Sequence, residues 1–81
     1  MTIYQPRIQR VVAEQFDGTR ASGVAIAALP GIQVKAERGD LYVLIGGRWA
    51  YVNIGSWVVR SRREIEIMAD DEFQLLYEVA A

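Results

Sequence analysis

From Ile32 to Arg38 the chain reads Ile-Gln-Val-Lys-Ala-Glu-Arg, a strict apolar–polar alternation. A period of two places Ile32, Val34 and Ala36 on one side of a strand and Gln33, Lys35 and Glu37 on the other, which predicts a half-buried strand. Gly39-Asp40 then turns the chain. Leu41–Ile45 and Arg48–Ile54 flank Gly46-Gly47. That pair suits a two-residue hairpin, because such turns need positive φ at both central positions. Leu41, Val43 and Ile45 share one face, with Tyr42 and Leu44 opposite. Both faces are apolar, so this strand is expected to be central or covered on both sides.

Upstream, Arg10–Phe16 is rich in β formers and is stopped by Asp17-Gly18, which predicts a first strand. Thr19 or Ser22 is placed to cap a short helix over Ala21–Leu29, ended by Pro30-Gly31. Helical spacing puts Val24, Ala27 and Ala28 on one face with Leu29 beside them. Downstream, Gly55-Ser56 opens a last hairpin in which Trp57–Ser61 runs up and Glu64–Met68 runs down. Ile65 and Ile67 are expected inward, and Glu64 and Glu66 outward. Ala69–Glu78 then reads as a helix. Asp70 is the expected N-cap, Asp71 and Glu72 lie at the positive end of the dipole, and Phe73, Leu76 and Tyr77 form a docking stripe.

The expected order is β-α-β-β-β-β-β-α in a single α+β domain, residues 1–81. The short turns predict a small curved antiparallel sheet or partly open barrel of about five to six strands, with one helix after the first strand and one at the C-terminal end.

Composition narrows the function classes. The chain is 52% hydrophobic and has a net charge of −1. A small domain has little interior for that much apolar surface, so a second copy or another protein is expected to cover part of it. A slight acidic excess does not attract nucleic acid through long-range field. The chain has no Cys and no His, which removes the commonest nucleophile, general base and metal ligands. No cofactor and no metal are expected, and no enzymatic activity. The N-terminal stretch Met1–Arg10 shows no apolar core of a signal peptide, and no apolar run is long enough to span a membrane. The expectation is a soluble cytoplasmic protein.

Three constellations merit weighing. Arg60, Arg62 and Arg63 adjoin Glu64 and Glu66, and cross-strand pairing there would cancel the local charge, giving a solvated tip in place of an anion site. Asp70, Asp71 and Glu72 lack calcium-loop spacing and read as a helix start. Glu14, Asp17, Asp40, Glu64 and Glu66 are available for acid–base work, but nothing in their spacing predicts that two converge. The aromatics carry more information. Tyr42, Trp49, Tyr51 and Trp57 lie in the middle hairpins, either as cross-strand packing or as a binding surface, since Tyr and Trp give large contact area at small entropic cost. A ligand clamp is the other option, with Arg38, Arg48 and Arg60 holding a phosphate while Trp49 or Trp57 stacks a base.

Both ends of the chain resemble a family of small uncharacterised bacteriophage and prophage proteins. Gln15-Phe16-Asp17-Gly18-Thr19 is similar to that family's Q-[FW]-D-G-T turn. Gly55, Trp57, Val58 and Val59 fit its P-G-D-[WY]-[IV]-[IV] corner, Glu64 fits the last position of its G-x-x-G-E turn, and Asp71, Phe73, Tyr77 and Glu78 fit its D-x-F-x-x-x-Y-E close. Ile54 stands where that family has proline, Ser56 where it has aspartate, and the turn Ser61–Glu64 lacks its glycines. The resemblance implies an accessory protein in the cytoplasm of an infected host cell and no known reaction; the matched residues read as fold-makers. The leading expectation is therefore a non-catalytic protein that binds a host or phage protein or a second copy of itself. The alternatives are a nucleotide-sequestering binder or a minor virion component.

Overall fold

The computed structural model describes Thr2 and residues 11–77. The Arg10 start expected for the first strand and the Glu78 of the C-terminal match lie outside the described residues. The described residues form six strands and two helices in the expected order: β1 (Val12–Gln15), α1 (Arg20–Ala27), β2 (Val34–Glu37), β3 (Asp40–Ile45), β4 (Arg48–Val52), β5 (Trp57–Arg60), β6 (Ile65–Met68) and α2 (Asp70–Leu76). The fold is α+β, and its strands form two separate antiparallel sheets, ordered β1-β5-β6 and β2-β3-β4. They do not close into a barrel.

The glycine turns set this topology. Gly46 and Gly47 both adopt positive φ, 58° and 80°, and join β3 to β4 through a two-residue loop. The preceding turn sits one residue earlier than expected. Arg38 (φ 54°) and Gly39 (φ 83°) are its central residues, and Asp40 is the first residue of β3, paired with Glu37. β3 is the central strand of its sheet, as its two apolar faces predict. The corner at Gly55-Ser56 is stitched to the end of β1: Phe16 N–H donates to the Ser56 carbonyl at 2.9 Å, Gly55 N–H donates to the Phe16 carbonyl at 2.6 Å, and Gln15 Nε2 donates to the Gly55 carbonyl at 3.0 Å.

The core lies between the sheets and under α1. Phe16, Ile26, Leu41, Val43, Val52 and Val58 are buried there, with Leu29, Ile32, Val34, Ile45, Ile65 and Ile67 packed around them. Ile65 and Ile67 thus face inward and Glu66 outward, as the pattern requires. Ala36, expected to share the inner face with Ile32 and Val34, is exposed near the end of β2.

The helices depart from expectation in three respects. Thr19 caps α1, its side chain accepting from the Ser22 N–H at 3.2 Å. The buried face of α1, however, centres on Ile26, which is fully buried, while Val24, Ala27 and Ala28 are exposed. Gly23, one turn before Ile26, lies beside the Leu41 side chain, which an added β-carbon would meet at an ordinary 3.9 Å. In α2 the cap position is Ala69, which makes no side-chain cap bond, and Asp70 is the first helical residue. The expected stripe is incomplete too: Phe73 and Tyr77 are half-buried, but Leu76 is exposed. Among the described residues, no helix is long and apolar enough to cross a membrane.

Candidate functional site

The four aromatics singled out in the sequence divide between the two sheets. In the β3–β4 hairpin, Leu44 lies opposite Trp49 and Tyr42 opposite Tyr51. Directly opposed residues share a face, so all four sit on the side of β2-β3-β4 turned away from the core. Lys35, opposite Tyr42 on β2, joins them. Trp49 and Tyr51 remain 44% and 47% exposed. A covering on both faces of β3 is therefore not found among the described residues.

This face is internally organised. Tyr42 and Tyr51 meet edge to face, their ring centroids 5.6 Å apart. The Lys35 ammonium lies 5.1 Å from the Tyr42 ring and 5.0 Å from the Trp49 ring, reaching across β3 to do so. It also pairs with Glu37 at 3.6 Å. At the far end, Tyr51 OH donates to Asp40 Oδ1 at 3.3 Å. The Asp40 charge disfavours a second negative charge beside it and, with partial desolvation, raises the Tyr51 pKa above its ordinary value. Tyr51 therefore remains a neutral donor. The outcome is an exposed aromatic cluster with the Lys35 cation laid over it.

Trp57 belongs elsewhere. Its ring stacks on Phe73 at 4.0 Å with 7° between planes, and Phe73 packs in turn on Tyr77 at 5.1 Å. Its Nε1 donates to Asp70 Oδ1 at 2.8 Å. Trp57 clamps α2 to the sheet and does not extend the exposed aromatic surface. Asp70 also accepts from Gln74 Nε2 at 3.3 Å and Gln15 Nε2 at 3.4 Å. The Trp57 donor foremost, then Gln74, holds its carboxyl below the ordinary range.

The arginines do not form a clamp. Arg38 sits in the β2–β3 turn and Arg48 follows the β3–β4 turn, at opposite ends of a six-residue strand, roughly 20 Å apart along it. Arg60 lies on the other sheet beside Gly31, where an added β-carbon would come within 3.3 Å of its Nη2. The expected Arg–Glu pairing at the hairpin tip is also not formed. Among the described residues, no carboxylate is within ion-pairing distance of Arg60, Arg62 or Arg63. Ser61 orders the tip instead, its N–H donating to the Glu64 carbonyl at 2.9 Å and its Oγ accepting from the Glu64 N–H at 3.1 Å.

Of the carboxylates, Glu64 and Glu66 share a small recess of about 120 Å³ with Val59, Ser61 and Tyr77. Asp17 is committed to the α1 turn, where its Oδ1 accepts from the Thr19 hydroxyl and from the Thr19 N–H at 2.9 Å. The Thr19 hydroxyl, then Ser22, lowers its pKa to about 2. Among the described residues, no group of three or more potential ligands is placed to hold a metal ion.

A second concavity was not foreseen. The exposed Val24 and Ala27 of α1 face Val34, Ala36 and Leu41 across an apolar groove of about 380 Å³, with Phe16 at its base and Arg20 and Asp40 at its rim. Of the stripe read from the helix, Val24 and Ala27 line this groove, while Leu29 packs against the core. No family model, no curated protein and no solved structure matches the chain.

Proposed function

We propose that this protein is a non-catalytic binding module that acts by holding another protein, a host factor or a second copy, against the outer face of β2-β3-β4. The observation that carries the reading is the exposure of Trp49 and Tyr51 side by side on that face. Large rings left in water are the residue types that concentrate binding energy at interfaces. The resemblance of the chain ends to bacteriophage and prophage proteins supports an accessory role in the cytoplasm of an infected cell.

The test is site-specific photo-crosslinking in expressing cells, with a photoreactive phenylalanine at 49 or 51 and a control at Leu75, which is 86% exposed but lies on α2. Discrete protein adducts from 49 and 51, without the same adducts from 75, support the reading. Absence of adducts at 49 and 51 refutes it.

The α1–β2 groove supports a second reading, a binder of small apolar ligands. Its volume falls in the range of roughly 300–1,000 Å³ usual for ligand pockets. Chemical-shift perturbation confined to Val24, Ala27 and Val34 with apolar fragments is the expected signature. Unperturbed spectra across such a set argue against it.

A further inference from the structure

Among the described residues β4 is an edge strand, and the hairpin geometry says which of its backbone groups point away from β3. Ile45 and Arg48 flank a two-residue turn, so they form a hydrogen-bonded pair. Pairing alternates from there. Arg48, Ala50 and Val52 therefore direct their N–H and C=O groups at β3. Trp49 and Tyr51 direct theirs outward. The neighbouring strand agrees with this phase: Leu44 N–H donates to the Gln33 carbonyl on the β2 side at 3.0 Å. Among the described residues, no main-chain bond from outside the ladder with β3 reaches Trp49 or Tyr51.

Native edges are blunted by charge, proline or bulges. The other three edge strands carry charge within their length: Glu14 in β1, Lys35 and Glu37 in β2, Glu66 in β6. β4 carries Arg48 at its first position and then Trp49, Ala50, Tyr51 and Val52. It has no internal charge, no proline and no bulge.

We infer that the β4 edge pairs antiparallel with β4 of a second copy about a two-fold axis at Ala50, making one six-stranded sheet. This goes beyond the face-binding reading above, since edge pairing extends the sheet and leaves its outer face open to another partner. The register follows from the open groups. Trp49 must face the partner's Tyr51, and Tyr51 the partner's Trp49, because only then do all four outward residues exchange both of their bonds. The same register aligns side chains. Tyr42, Tyr51, the partner's Trp49 and the partner's Leu44 form one row across the joined outer face, and the two-fold repeats it. Aromatic cross-strand pairs stabilise such contacts. A contact of one short strand buries less than the roughly 800 Å² per partner of a standard interface, so the dimer exchanges reversibly with monomer.

Sedimentation velocity over a wide concentration range, with amide exchange followed by NMR at both extremes, tests this. The expected result is a concentration-dependent dimer in which the Trp49 and Tyr51 amides become protected while the other edge strands do not change. Tyr51→Pro removes one outward N–H without touching the bonds to β3 and should abolish dimerisation; Trp49→Lys should do the same should the proline variant fail to fold. A protein that is monomeric at every concentration overturns the inference, and crosslinks from positions 49 and 51 to another protein would leave the broader reading standing. A dimer whose Trp49 and Tyr51 amides still exchange freely also overturns it.

Discussion

The Trp57 indole hydrogen-bonds to Asp70 through Nε1 and stacks on Phe73 through its face, so one side chain on β5 grips both the first residue and the first turn of α2. A seven-residue helix is too short to persist alone in water. This contact, more than helix propensity, is what keeps α2 folded.

Trp57→Phe keeps a ring against Phe73 and removes the donor. Amide exchange across Asp70–Leu76 should accelerate while β3 and β4 are unaffected. Phe73→Ala removes the stack and should cost about 1 kcal/mol beyond the area lost, the usual scale for an aromatic pair. Equal acceleration in every element of the fold would show that α2 is not held locally by this residue.

Acid should weaken the fold through Asp17 and Asp70. Folding lowers the Asp17 pKa from 3.8 to about 2 and shifts Asp70 in the same direction. The unfolded chain therefore takes up these protons at higher pH than the folded one, and stability falls as pH falls. Both contributions are complete above about pH 5, given reference carboxylate values near 4, and shrink as pH drops through the unfolded value, that of Asp17 vanishing toward about 2. Denaturant midpoints measured from pH 6 to 2 should fall more steeply for the wild type than for Asp17→Asn with Asp70→Asn. Parallel curves would mean that neither network senses folding.

The two sides of α1 should respond very differently to truncation. Ile26→Ala opens a cavity at a fully buried position and should cost about 2–5 kcal/mol. Val24→Ala, at 61% exposure over the groove, should change stability by less than about 0.5 kcal/mol. Similar losses for both would place Val24 in the core after all.

That contrast also shows where the amino-acid pattern ran out. Val24 to Leu29 is an unbroken apolar run, so periodicity alone had no polar residue with which to choose a face. The choice came from tertiary packing, which buries Ile26 with Phe16, Leu41 and Val43 and has no local signature. The β3–β4 hairpin was legible for the opposite reason: the Gly46-Gly47 pair and the alternation on either side of it fix register without help from elsewhere. Asp70 carried a misleading signal, since an acidic residue before a helix looks like a cap until Trp57 is known to lie across from it. The exposed aromatics of β4 were legible as residue types. That Trp57 leaves the group depended on the division into two sheets, whereas the separation of Arg38 from Arg48 follows from the turns at the two ends of β3.

Arg38 offers the last prediction, because it holds a left-handed conformation, φ 54°, beside Gly39 in a two-residue hairpin turn. A β-carbon in that region meets the following carbonyl oxygen, at a cost of about 1–2 kcal/mol for most residues. Asparagine tolerates it, and Asn-Gly is a preferred sequence for this turn. Arg38→Asn should therefore stabilise the fold by about 0.5–1 kcal/mol and raise the melting temperature by about 3–6 °C. Arg38→Val, β-branched and poorly suited to positive φ, should lower it. Because Arg38 contributes to the turn and makes no ion pair among the described residues, crosslinking from positions 49 and 51 should be unchanged in the asparagine variant. A stabilised Arg38→Asn protein that no longer forms those adducts would mean that the guanidinium itself touches the partner, and the binding surface would then extend from the aromatic face around the β2–β3 turn.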